Sequence, residues 1–284
     1  MKRIGFIDYF LDEWHANNYP AWIRASSQSD SFEVAYAWAA MDKPGGLTTQ
    51  QWCERHRVET MPSLQALVDA SDCLILLSPD NPEEHERLAQ LALCSGKPTY
   101  IDKTFAPDAA AARRLFDLAE RHHTPLYSTS ALRYARELSW LGEKKLGQQD
   151  IVFAAARGPG ILDNYVIHQL EMIVKAMGPG AVRALASGSK DAPLVLFEYK
   201  DGRSCQVNHL PWAGFSLALQ AKDGQGAICE VKADFWQPFI EDLLGFFATG
   251  KPPVPARETC AAMAMREAAL KAVARPGTWV AVPD

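Results

Sequence analysis

The chain has 284 residues, 48% of them apolar, which is enough to bury a sizeable core. Its net charge of -5, with no basic block, argues against a nucleic-acid or anionic-membrane partner and favours a small-molecule role. The six cysteines form no C-x-x-C pair and Met1-Lys2-Arg3 opens no leader segment, so a reduced, cytoplasmic protein with no metal site is expected.

Arg3-Ile4-Gly5-Phe6-Ile7 reads as a central parallel strand, and Pro20-Ala21-Trp22-Ile23 as the start of the following helix. About a dozen residues would lie between them, against roughly 2 to 6 in an ordinary strand-to-helix connection. That loop carries Asp8, Tyr9, Asp12, Glu13, Trp14, His15, Asn17 and Asn18, and a long polar loop at the carboxyl end of a strand points to function. A second strand covers 32–38, Thr48 caps a helix to 57, and Ser63 caps one through 68. Residues 73–77 form a buried strand that ends in the turn Ser78-Pro79-Asp80-Asn81-Pro82. Pro82-Glu83-Glu84 opens a helix that Gly96 closes, and Pro98-Thr99-Tyr100-Ile101 is a strand ending on Asp102, Lys103 and Thr104. A helix to about residue 122 and a strand at 125–127 follow. This β-α alternation predicts a Rossmann-like, doubly wound parallel sheet over residues 1–128, with Asp102 and Lys103 at its ligand edge.

From residue 129 the rhythm changes. A helix over 133–145 is followed by strands at 151–156, 182–186, 194–199, 204–209, 215–221 and 227–231, with one long helix at 163–177. The Asp-Gly turns at Lys200-Asp201-Gly202 and Lys222-Asp223-Gly224 predict hairpins, and helices at 235–248 and 258–274 close the chain. The expectation is an α+β domain over 129–284 built on an open antiparallel sheet.

On the helix at 163–177, steps of about 100° bring Asn164, His168, Glu171 and Lys175 to one face, opposite Val166, Leu170, Ile173, Val174 and Met177. The polar face is either simply solvated or a site where Glu171 raises the basicity of His168 for proton transfer. Lys103 is likewise either a solvated lysine or an ammonium that bonds a substrate hydroxyl or a cofactor ribose.

Taken together, the order of these features resembles the Gfo/Idh/MocA family of NAD(P)-dependent oxidoreductases over nearly the whole chain. Asp102-Lys103-Thr104 is similar to the family's Glu-Lys-Pro, and Ser78-Pro79-Asp80 to its Thr-Pro-Asn turn. Asn164-Tyr165-Val166-Ile167-His168 with Glu171 is similar to its Asp-x-Gly-x-His helix. The resemblance implies hydride transfer between NAD or NADP and a sugar, polyol or related small hydroxy or keto compound. It assigns catalysis to Lys103, His168 and Asn164: Lys103 bridges the substrate hydroxyl and the nicotinamide ribose, His168 is general base, and Asn164 orients the substrate. Tyr165, Glu171 and Arg133 fall to the substrate, with Glu171 supplying charge to His168 because Asn164 is an amide. Asp8, Phe10, His15, Asn17, Ser78, Pro79, Asp80, Asp102 and Lys103 fall to the cofactor. A pocket between the two domains, closed by residues 8–18, and a homo-oligomer formed through the antiparallel sheet are expected.

One departure stands out. Asp8, Phe10 and Glu13 occupy the positions of the family's three loop glycines, and Trp38-Ala39-Ala40 lies where an acid would hold the ribose. Asp8, Asp12 and Glu13 should repel a pyrophosphate unless the loop bends away, and Asn17, Asn18, His15 or a helix start near Pro20 would rescue binding. Either the dinucleotide binds in an unusual way, or the fold has lost it and serves as a lyase, isomerase or ligand sensor.

Overall fold

The apolar run at the start of the chain becomes β1 (Lys2–Asp8), followed by β2 (Phe32–Ala39), β3 (Glu59–Thr60), β4 (Cys73–Leu76), β5 (Thr99–Ile101) and β6 (Leu126–Tyr127). The computed structural model describes residues 1–283. The strands are parallel in the order β3-β2-β1-β4-β5-β6, which reverses direction between β1 and β4. That reversal is the topological switch point at which ligands enter doubly wound sheets. Ile4, Phe6, Ile7 and Leu74 through Leu77 are fully buried, as expected of strands covered on both faces. Gly5 is required because a Cβ there would lie 2.2 Å from Ser71 Oγ, beneath the helix that covers β1.

Five helices accompany this sheet: α1 (Trp14–Arg24), α2 (Thr49–His56), α3 (Leu64–Ala70), α4 (His85–Leu93) and α5 (Ala109–Arg121). Thr48 and Gln51 form a reciprocal capping box on α2, and Ser63 caps α3. The expected start near Pro20 is corrected: α1 begins at Trp14, Pro20 lies inside it, and the preceding loop is only residues 9–13. The cause is Glu13, whose side chain accepts the N–H groups of His15 and Ala16 and starts the helix one turn after β1.

This first unit comprises Met1–Pro107, Ala111–Ser128 and Trp236–Val254, so a helix from late in the chain returns to the parallel sheet, unlike a single division at residue 128. The second unit holds Thr129–Phe235, the short piece Asp108–Ala110 and the chain from Pro255. In place of the helix expected at 133–145 there are two 3-10 turns, Ala131–Tyr134 and Arg136–Ser139, and the single-turn helix α6 (Trp140–Glu143). Ala135, with φ -57° and ψ 128°, breaks the helical path between the two turns.

Thereafter come β7 (Ile151–Gly158), α7 (Leu162–Met177), β8 (Ala181–Ser189), β9 (Ala192–Tyr199), β10 (Ser204–His209), β11 (Ser216–Ala221), β12 (Gly226–Glu230), α8 (Trp236–Thr249, the helix of the first unit), α9 (Ala256–Val273) and β13 (Val280–Ala281). The sheet order is β12-β11-β7-β10-β9-β8-β13. Both Asp-Gly hairpins form, with Gly202 at φ 87° and Gly224 at φ 89°. The sheet is mixed rather than wholly antiparallel, because β7 pairs parallel with β10 after a crossover that contains α7. Alternating burial along β9 and β10 places one face of the sheet against α7 and α9. No helix among the described residues is long and apolar enough to cross a membrane.

Candidate functional site

Two clusters of polar residues stand out, one in each unit. In the first unit, the end of β1 and the start of α1 are organised by acids that point inward. Asp8 is fully buried, and its Oδ1 accepts from Tyr9 N (2.7 Å), Ser78 N (3.1 Å) and Ser78 Oγ (3.0 Å). Its Oδ2 is buried with no hydrogen-bond partner. Burial outweighs these donors and pushes the carboxyl up to about 8. Glu13, 5% exposed, caps α1 by accepting from His15 N (2.7 Å) and Ala16 N, and burial followed by the charge of Asp8 raises it well above the carboxylate range. Only Asp12 is lowered, by the N–H of Leu47 and then by Asn17. The expected rim of three repelling charges is therefore corrected, since Asp8 and Glu13 sit below the surface and burial raises both carboxyls.

The same arrangement decides how a dinucleotide would fit. A pyrophosphate ordinarily takes the free N–H groups at the N-terminus of the first helix. Here Glu13 occupies two of them. The amides proposed for rescue are also committed: Asn17 accepts from Trp52 Nε1 (2.8 Å) and donates to Asp12, and Asn18 donates to Trp14 O. Phe10 is half-buried under the Lys43 ammonium, 5.4 Å from its ring. The pyrophosphate end thus fits only if Glu13 swings away.

At that edge Asp102 and Lys103 are 1% and 8% exposed. Lys103 Nζ lies 3.5 Å from Pro79 O, next to the exposed Asp80. Asp102 Oδ1 accepts from Tyr100 OH (3.1 Å) and Lys103 N (2.9 Å), and Oδ2 receives Nδ1–H of His15. Burial would raise Asp102, but the charge and hydrogen bond of His15, then Lys103, hold it below its ordinary range. Asp8, Ser78 and Asp102 are thus held by protein donors rather than presented to a cofactor. His85, next in the turn region, is pinned between Phe105 O (3.0 Å) and Leu77 O (2.9 Å).

In the second unit, the polar face of α7 is not solvated. Glu171, 3% exposed, pairs with Arg133 at 3.0 Å, and Arg133 also binds Glu258 at the start of α9. Burial raises Glu171 despite Arg133, and Lys175 donates to Arg133 O. Arg133 and Glu171 therefore hold α7, α9 and the 131–134 turn together instead of reaching a substrate. Higher on the same face, His168 is half-buried, with Nδ1 2.7 Å from Ser130 Oγ, between the rings of Tyr165 (5.6 Å) and Phe215 (5.5 Å). Asn164, half-buried, is one turn before it, and Tyr165, 37% exposed, lies over Gly160, where a Cβ would meet the ring at 2.4 Å. Sequence reading missed Ser130 and Glu258. Ser130 follows the last strand of the parallel sheet, and Glu258 reads as an ordinary first-turn acid, so only the pairing itself reveals either.

Comparison with known proteins completes the description. No family model matches the chain. Inositol 2-dehydrogenase of Cereibacter sphaeroides is 26% identical over 196 residues, 61% of this chain, and the match spans only 56% of that protein. A probable dehydrogenase from Thermotoga maritima superposes with a TM-score of 0.80 at 15% identity, covering 99% of this chain and 98% of that one. The chain has the fold of the Gfo/Idh/MocA oxidoreductases. Myo-inositol dehydrogenase from Lactobacillus casei, solved with NAD(H) and myo-inositol, shares that fold at a TM-score of 0.78 and 15% identity, covering 100% of this chain and 97% of its own.

Proposed function

We propose that the protein is an NAD(P)-dependent oxidoreductase acting on a hydroxyl-bearing carbon of a sugar, polyol or related compound. The observation that carries the reading is Lys103 just past the end of β5, its Nζ 3.5 Å from Pro79 O, within a fold shared with a dehydrogenase solved with NAD(H) and myo-inositol. The partial likeness to inositol 2-dehydrogenase supports the same substrate class. A nicotinamide, when bound, supplies the hydride acceptor or donor. The side chains do the rest. Lys103 donates to a substrate oxygen and lowers the cost of charge developing there. His168 takes the hydroxyl proton; for this its Nδ1–H donates to Ser130 Oγ, leaving the lone pair on Nε2. Asn164 offers an amide for orientation, and Tyr165 a partly exposed ring.

A second reading, a descendant of the fold that works without a dinucleotide, draws on one observation, the Glu13 carboxyl seated on the amides of α1. Calorimetric titration of NAD, NADH, NADP and NADPH into the wild type and Glu13→Ala separates the two. The variant frees the amides at a cost of about 0.5–2 kcal/mol in helix capping. Measurable affinity for at least one dinucleotide, stronger in the variant, supports the oxidoreductase. No heat from either folded protein supports the cofactor-free reading.

A further inference from the structure

His15 is used by neither the hydride chemistry nor the helix cap, yet its ring is held in a defined manner. Its Nδ1 is hydrogen-bonded to Asp102 Oδ2, which fixes the orientation of the ring. Nε2 makes no hydrogen bond and is not among the buried unpartnered atoms, so it reaches solvent from a residue only 7% exposed. Tyr19 stacks on the ring at 5.5 Å and 14°, while Trp14 and Trp236 present edges at 5.3 Å and 5.4 Å. Trp22 and Trp236 stack at 4.7 Å behind Trp14, which is itself 53% exposed. A buried carboxylate, an imidazole it orients with Nε2 toward solvent, and an open aromatic wall are the parts of a binding site for a ligand with an apolar face and a hydroxyl rim.

We propose that the first unit holds a second ligand site, in which His15, oriented by Asp102, hydrogen-bonds through Nε2 a hydroxyl of a sugar or polyol ring stacked on Trp14. The charged and titratable groups near His15 include Asp102 and Lys103 after β5, Glu13 with Asp8 behind it, and the Tyr19 and Tyr100 hydroxyls; from α8 the Trp236 ring packs against it. Of these, Asp102 alone bonds the imidazole ring.

Diethyl pyrocarbonate tests it. The reagent forms an N–C bond at a basic imidazole nitrogen and releases ethanol and carbon dioxide, and peptide mass spectrometry reads each histidine separately. Labelling of His15 is expected at a rate comparable to that of exposed His122 and His123 despite its burial. Asp102→Asn should slow it about 10-fold or more, because an amide that donates to Nδ1 moves the ring proton onto Nε2. Myo-inositol or D-glucose should protect His15 in the wild type, and Trp14→Ala, which removes an exposed side chain and leaves the buried pair in place, should weaken that protection about 10-fold. An unlabelled His15 beside labelled His122 and His123 overturns the proposal. So does labelling that neither polyol slows, or protection that Trp14→Ala leaves intact.

Discussion

The titration of Asp8 gives the sharpest test of the buried-acid loop. Its carboxyl is fully buried, pushed up to about 8 by burial, and ordinary carboxyls in an unfolded chain titrate near 3.9. Between these values the folded state holds a proton that the unfolded state has lost. Stability from this group is therefore complete below about pH 4, falls as pH rises, and is exhausted once pH passes about 8. One proton corresponds to at most about 1.4 kcal/mol per pH unit. Asp8→Asn keeps an acceptor at Oδ1 for Tyr9 and Ser78 and places a neutral group where Oδ2 has no partner. Urea unfolding of both proteins at pH 5, 6, 7, 8 and 9 should show the variant gaining on the wild type at each step up to pH 8, by up to about 1.4 kcal/mol per unit, and no further above it. Parallel profiles, or a variant that loses ground as pH rises, would mean that Asp8 is ionised in the fold and would refute the reasoning.

Other substitutions probe the second unit. Arg133→Met strands Glu171 and Glu258 in a dry site and should cost about 3–5 kcal/mol in urea unfolding, while adding Glu171→Leu and Glu258→Leu should recover most of it. A deficit that persists in the triple variant would place the cost in packing rather than charge. His168→Asn should lower kcat about 100-fold or more in steady-state assays, with Tm nearly unchanged because the ring is only half-buried; an equal loss of Tm would make His168 a structural residue.

How much of this was legible depends on the range over which each feature is determined. β4 and β5 could be read because Cys73–Leu76 and Thr99–Ile101 are continuous apolar runs bounded by turn residues, a local signal. The turns at Asp201-Gly202 and Asp223-Gly224 were legible for the same reason, whereas the parallel β7–β10 pairing was not, since a hairpin signal speaks only of neighbours. Strand arithmetic placed Lys103 just past the end of β5, where it lies. Its neighbour Asp102 could not be linked to His15, 87 residues away, by any spacing rule. Arg133 and Glu171, 38 residues apart, are a similar case: helical periodicity showed a polar stripe on α7 without showing what covers it.

The loop after β1 shows how a correct anomaly can lead to the wrong mechanism. Acids at glycine positions were plain in the sequence, and Coulomb repulsion of a pyrophosphate was the natural inference from charges assumed to face water. Burial reverses that inference. Asp8 and Glu13 point inward, where burial raises both carboxyls, and Glu13 starts α1 one turn after β1, where Pro20 had suggested a later start. Any obstacle to a dinucleotide is then competition for two backbone amides rather than a field of negative charge. The two causes differ in their salt dependence: repulsion weakens as ionic strength rises, while occupancy by a fixed carboxyl does not. Dinucleotide affinity that improves steeply with salt in the wild type would restore the electrostatic account. A flat salt response, together with tighter binding by Glu13→Ala, is what the buried cap requires.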